Sequence, residues 1–141
     1  MDPREFQVLS SELVAGNRAS ELRTAISRAY YAVHNVGVEI LTEFGFRISK
    51  SPSGHGEVWN HLSNSGDSEV VIVGSKLSDL HSRRIHADYR MDKKDVEVQM
   101  TAKALVETAS KMIQVLDGCR SRSRRDQMIK AIREWEGKIT Q

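Results

Sequence analysis

The chain has 141 residues, a single cysteine, 21 Lys and Arg against 19 Asp and Glu, and a formal net charge of +2. That length supports one domain with its own core, Cys119 alone cannot form an internal disulfide, and the near balance of charge argues against a wholly cationic nucleic-acid coat. Met1-Asp2-Pro3-Arg4-Glu5 lacks the basic-then-apolar order of a secretion signal, and no apolar run approaches the roughly 20 residues that span a bilayer, so a soluble, cytoplasmic protein with no membrane partner is expected.

Asp2 caps a first helix with Pro3 at its first position, and Phe6, Leu9 and Leu13 mark its inner face until Gly16-Asn17. Ser20 opens a longer helix to about Gly45, striped by Leu22, Ile26, Ala29, Val33, Val36, Ile40 and Phe44, with Gly37 a weak point inside it. Arg47 to Gly56 is rich in Ser, Gly and Pro and reads as a loop, and Glu57 to Leu62 reads as a short helix before Asn64-Ser65-Gly66. Val70-Val71-Ile72-Val73 is β-branched throughout, yet no second segment exists to pair with it as a strand. The helical phase running from Asp67 or Ser68 through Leu77, Leu80 and Arg84 to Tyr89 is therefore preferred.

Asp92 opens a long amphipathic helix from about Lys93 to Asp117, stopped by Gly118. A last helix, Arg124 to Gly137, carries Met128, Ile132 and Trp135, followed by Ile139, at helical steps. Around its start, Arg120, Arg122, Arg124 and Arg125 make the tail basic. That composition suits either a solvated helix face or an arm on which Arg122, Arg124 and Arg125 contact RNA phosphates. The predicted architecture is an all-α bundle of about five helices, with residues 1–118 as the bundle and 119–141 as a basic amphipathic C-terminal helix.

Arg28, Tyr31 and Asn35 share one face of the second helix, while Tyr30 and His34 share the neighbouring one. On the fourth segment Leu77, Leu80, Arg84 and Asp88 form a seam that begins apolar and ends charged, so Asp88 either pairs with Arg84 or accepts Arg28 from across the bundle. The histidines, His34, His55, His61, His81 and His86, are not spaced as metal ligands, and no phosphate-cradling Gly loop, nucleophile elbow or dinucleotide fingerprint occurs. Neither a metal nor a cofactor is expected.

Ser27-Arg28-Ala29-Tyr30-Tyr31-Ala32-Val33-His34, then Gly54-His55-Gly56-Glu57-Val58, then Arg84-Ile85-His86-Ala87-Asp88-Tyr89 resemble the small single-domain branch of the HEPN superfamily. That branch carries Ser-Arg-x-Tyr-Tyr-Ala and a later Arg-x-x-Ala-Asp-Tyr, and the resemblance covers about residues 20–117. It implies a HEPN-like up-and-down helical bundle that forms a homodimer with a cleft between protomers. Many HEPN proteins are metal-independent ribonucleases of prokaryotic defence and toxin–antitoxin systems, often encoded beside a nucleotidyltransferase-like antitoxin. In them an Arg, with a His four to six residues later, does the chemistry. The His moves a proton from a ribose 2′-hydroxyl while the Arg stabilises charge on the phosphate.

Here Arg84 stands at the arginine's place, but Asp88, Tyr89 and Arg90 follow where the His belongs, so the usual motif is not at its expected position. The catalytic residues implied are Arg84 with His86, or with His55. Arg28, Tyr31, His34, His55, Asp88 and Tyr89 are expected to form a cleft or structural polar network. The leading expectation is binding of RNA, a nucleotide or a partner through the dimer cleft. The alternatives are a metal-independent endoribonuclease toxin held by a cognate antitoxin, and a non-catalytic helical adaptor that offers Met128, Ile132 and Trp135 to another helix.

Overall fold

Apolar residues return at helical spacing in every regular segment of the chain. The computed structural model describes residues 1–140 and makes each such segment an α-helix, with no strand among the described residues. The helices are α1 (Arg4–Leu13), α2 (Ala19–Glu43), α3 (Gly54–Ser63), α4 (Ser68–Tyr89), α5 (Gln99–Gly118) and α6 (Arg122–Ile139), with a 3-10 turn, Asp95–Glu97, before α5. The described residues thus form a packed all-α bundle of six helices, one for each helical segment read from the sequence, where the total was put at about five.

Local chemistry accounts for most of the boundaries. The Asp2 carboxylate accepts the Arg4 N–H at 2.9 Å, and Asp67 accepts Glu69 and Val70 N–H, each at 3.1 Å, which is what commits the β-branched Val70–Val73 run to a helix. Several starts differ from expectation, α6 beginning at Arg122 and not at Arg124. α2 begins two residues early, because the Glu21 carboxylate reaches back to the Arg18 N–H at 3.2 Å instead of Ser20 acting as the cap. α3 begins at Gly54 and not at Glu57, so His55 and Gly56 belong to its first turn and not to a loop. The preceding Pro52 suits a helix entry, where its missing N–H is no loss.

α2 runs through the middle of the bundle, packing against α1, α4 and α5, while α3 lies chiefly on α4. Gly37, which sequence alone marks as a weakness in α2, is where α3 crosses: a Cβ there would stand 2.8 Å from a Val58 methyl carbon. Gly74 does the same for α4, because its Cβ would come within 2.7 Å of the Ser63 backbone nitrogen and 2.9 Å of the Trp59 carbonyl oxygen. The two glycines let three helices approach to near backbone contact.

Arg23 on α2, which the sequence did not single out, holds the far end of α4. The residue is 8% exposed, and its guanidinium donates to the carbonyl oxygens of His86 (2.9 Å), Ala87 (3.0 Å), Arg90 (3.2 Å) and Lys93 (2.8 Å), and to the Glu97 carboxylate (2.9 Å). His86 and Ala87 belong to the last turn of α4 and Arg90 and Lys93 lie just beyond it, so the end of that helix is held from another helix. The same contacts hold Lys93 and Glu97 outside regular helix, which is why α5 begins at Gln99 and not at Lys93.

The expected boundary near Gly118 falls between α5 and α6, and α6 then returns to the bundle. Met128 is 2% and Ile132 1% exposed, and the Trp135 ring lies edge-on to His61 with centroids 5.2 Å apart. Met128 and Ile132 are therefore spent on the protein's own core, not exposed as the adaptor expectation has them, and Trp135 is half-buried beside them. Met128 and Ile132 join the same buried cluster as Phe44 and Phe46. No helix among the described residues is long and apolar enough to cross a membrane.

Candidate functional site

The polar residues of α2 and α4 meet along the seam that the helical spacing anticipates. Asp88 Oδ2 accepts the Ser27 hydroxyl at 3.0 Å and stands 2.9 Å from Arg84 Nε, as an ion pair that is not aligned as a hydrogen bond. Arg84 donates to the Tyr31 hydroxyl and lies over the Tyr31 ring, 4.8 Å from its centroid, and 5.4 Å from that of Tyr89. Arg28 donates to Ser27 Oγ at 3.2 Å and covers the other aromatic faces, 4.9 Å from Tyr31 and 5.1 Å from Phe6. Asp88 therefore pairs with Arg84, one helical turn away, and reaches Arg28 only through Ser27.

A second group lies beside the first. Tyr30 and His34 of α2, His55 and Trp59 of α3 and His81 of α4 stack into one cluster, with His34 and His55 centroids 4.7 Å apart, His55 and His81 5.2 Å, and Trp59 and His81 5.1 Å. Tyr30 Oη and His55 Nδ1 are 2.6 Å apart. Burial holds the His34 imidazole down at about 4, helped by His55 and His81. Burial followed by the nearby Arg84 charge also lowers His55, and burial, His55 and Arg84 together lower His81. All three imidazoles are consequently uncharged at neutral pH.

Tyr31, His34, Asn35 and His55 then form one wall of an open cleft of about 500 Å³, whose other side is the segment carrying Ser49, Lys50 and Ser51. The cleft thus has a cation, Lys50, at its edge and neutral donors and acceptors on its wall, with the cationic Arg84 behind Tyr31. Such a surface suits an anionic, aromatic ligand. Among the described residues no group of three His, Cys, Asp or Glu side chains is placed to hold a metal ion.

The expected pairing of Arg84 with His86 is not realised. Two residues along an α-helix turn the side chain by roughly 200°, so His86 leaves α4 on the other side, where its Nδ1 is enclosed without a partner and its carbonyl serves Arg23. The imidazoles near Arg84 are His55, the other expectation, and His81. Tyr89 is 65% exposed, held only along the Arg84 face.

In the tail, Arg124 is occupied: its guanidinium grips Asp67 at 2.9 and 3.0 Å and Glu69 at 3.3 Å, tying α6 to the start of α4. That engagement corrects its assignment as a free phosphate contact, whereas Arg122 and Arg125 stay exposed. Sequence reasoning passed over His81 and Trp59. His81 precedes Arg84 by three residues on the same helix face, a spacing that was available to be read. Comparison of the chain with protein-family models, curated proteins and solved structures found no match.

Proposed function

We propose that the chain is a HEPN-like module of a prokaryotic defence or toxin–antitoxin system that binds RNA through its phosphates and bases, as a homodimer whose clefts face one another. The observation that carries this reading is the convergence of Arg84, Tyr31 and the uncharged His34 and His55 beside a cleft that also holds Lys50. Cations near its wall draw phosphate, aromatic rings offer faces for unstacked bases, and neutral imidazoles exchange hydrogen bonds without adding charge to be desolvated. The exposed Arg122 and Arg125 extend the cationic surface on α6.

The test is fluorescence anisotropy with a labelled single-stranded RNA across a salt series. The expected result is binding that weakens with salt, and that Arg84→Ala and Lys50→Ala each weaken further. Binding that ignores both substitutions removes the cleft from the reading. Size-exclusion chromatography with light scattering checks the homodimer.

A second reading, a metal-independent endoribonuclease neutralised by a nucleotidyltransferase-like antitoxin, is favoured by the proximity of Arg84 to His55. Incubating the protein with mixed RNA in EDTA separates the two: cleavage lost in His55→Ala supports the enzyme, and intact RNA supports the binding module.

A further inference from the structure

The hydrogen-bond inventory around Tyr30 decides which nitrogen of His55 carries its proton. Tyr30 is fully buried, at 0% exposure, and among the described residues its hydroxyl has one hydrogen-bond partner, His55 Nδ1 at 2.6 Å. If Nδ1 carried the proton and donated, the phenol oxygen would accept and its own O–H would be left buried with no acceptor. If the phenol donates, both groups are satisfied at once. Burial also raises the Tyr30 hydroxyl well above its ordinary range, so it keeps the proton that this arrangement requires. His55 Nε2, on the opposite side of the ring, has no hydrogen-bond partner among the described residues and is not enclosed, and His55 lines the cleft.

We infer that Tyr30 is a positioning residue: its phenol donates to Nδ1 of His55 and holds the proton of the neutral imidazole on Nε2, making His55 a hydrogen-bond donor to an anionic oxygen in the cleft, of the phosphate class, and not a base. The ligand half of this inference rests on the phosphate reading above; the tautomer half does not. It bears directly on the two functional readings, because a ring whose only lone pair is already engaged by Tyr30 cannot take a proton from a ribose hydroxyl through Nε2. His34 does not supply the same donor by the same means, since its Nδ1 is enclosed with no partner among the described residues to hold either tautomer.

The experiment is two-bond proton–nitrogen correlation NMR on the uniformly ¹⁵N-labelled full chain near pH 7.5, with the His55 ring signals assigned by their loss in His55→Gln. Expected is a bare Nδ1 and a protonated Nε2 in the native protein. In Tyr30→Phe, which keeps the buried ring, the two nitrogen shifts move toward each other as the tautomers average. Inorganic phosphate titrated at low ionic strength shifts the native Nε2–H signal, and its affinity falls about two- to tenfold in Tyr30→Phe, the range of one hydrogen bond.

A protonated Nδ1 in the native protein overturns the inference by itself, whether or not Tyr30→Phe folds, and so does a tautomer pattern unchanged in a folded Tyr30→Phe. Phosphate that leaves Nε2 untouched while the tautomers behave as stated overturns the ligand half, and with it the phosphate reading of the cleft.

Discussion

Replacing Arg23 with methionine tests the claim that one buried guanidinium holds the site end of α4 in place. The side chain makes contacts of 2.8 to 3.4 Å with five carbonyl oxygens, from His86, Ala87, Arg90, Met91 and Lys93, and with the Glu97 carboxylate. Charge-assisted bonds are worth roughly 1.5 to 3 kcal/mol each in isolation, but these share the N–H groups of one guanidinium and do not add. A better guide is the cost of removing one partner of a buried charge pair, about 3 to 5 kcal/mol, discounted here because the Glu97 carboxylate is only partly covered. The lower end applies, because Arg90 and Met91 are exposed and their carbonyls recover water when the arginine is gone.

A loss of about 3 kcal/mol, set against an unfolding entropy of about 2 cal/mol/K per residue, lowers Tm by about 10 °C in a chain of this length. Urea unfolding followed by circular dichroism gives the free energy, and calorimetry gives Tm. Arg23→Lys, which has an ammonium in place of the planar fork, should recover part of the loss and no more. Hydrogen exchange should show the amides of Lys93–Val98 opening first, with Asp88 and the Arg84 pair loosened behind them. A methionine variant within about 1 kcal/mol of the parent, or an even rise in exchange across the chain, would refute the clamp.

Gly74→Ala gains up to about 1 kcal/mol of helix propensity yet sets a methyl group against the α3 backbone, so a net loss of roughly 1 to 3 kcal/mol is expected on urea unfolding; a stabilised variant would contradict the close approach. Because His34 is neutral in the fold down to about pH 4 and titrates near 6.5 when unfolded, the unfolded chain takes up protons first and stability declines from about pH 6.5 to 4. Its contribution is at most about 1.4 kcal/mol per pH unit and is level below that window. His34→Gln should flatten that decline in thermal melts, and an unaltered slope would assign it elsewhere. Ile132→Ala empties a fully enclosed site and should remove about 2 to 4 kcal/mol by denaturant titration, whereas a neutral result would place α6 off the core.

Much of the secondary structure was legible residue by residue, since a helix announces itself through near-neighbour chemistry. The 3.6-residue apolar stripe of α2, the Asp2 and Asp67 caps, and Gly16 and Gly118 near helix ends all act over one or two turns. The same local logic offered Arg84 as one of two partners for Asp88, the other being Arg28, and set Tyr30 and His34 on a shared face.

What lay beyond it was every contact between helices. Nothing within α3 says that His55 will meet Tyr30, and nothing within α2 says that Arg23 will cap α4. Those pairings depend on how closely the axes cross, set here by the missing Cβ atoms of Gly37 and Gly74. Single-chain periodicity carries the direction of a side chain around its own helix but not the distance to the next one. The helices were therefore written in the sequence, while the choice of His55 over His86 as an imidazole beside Arg84 was made only by tertiary packing.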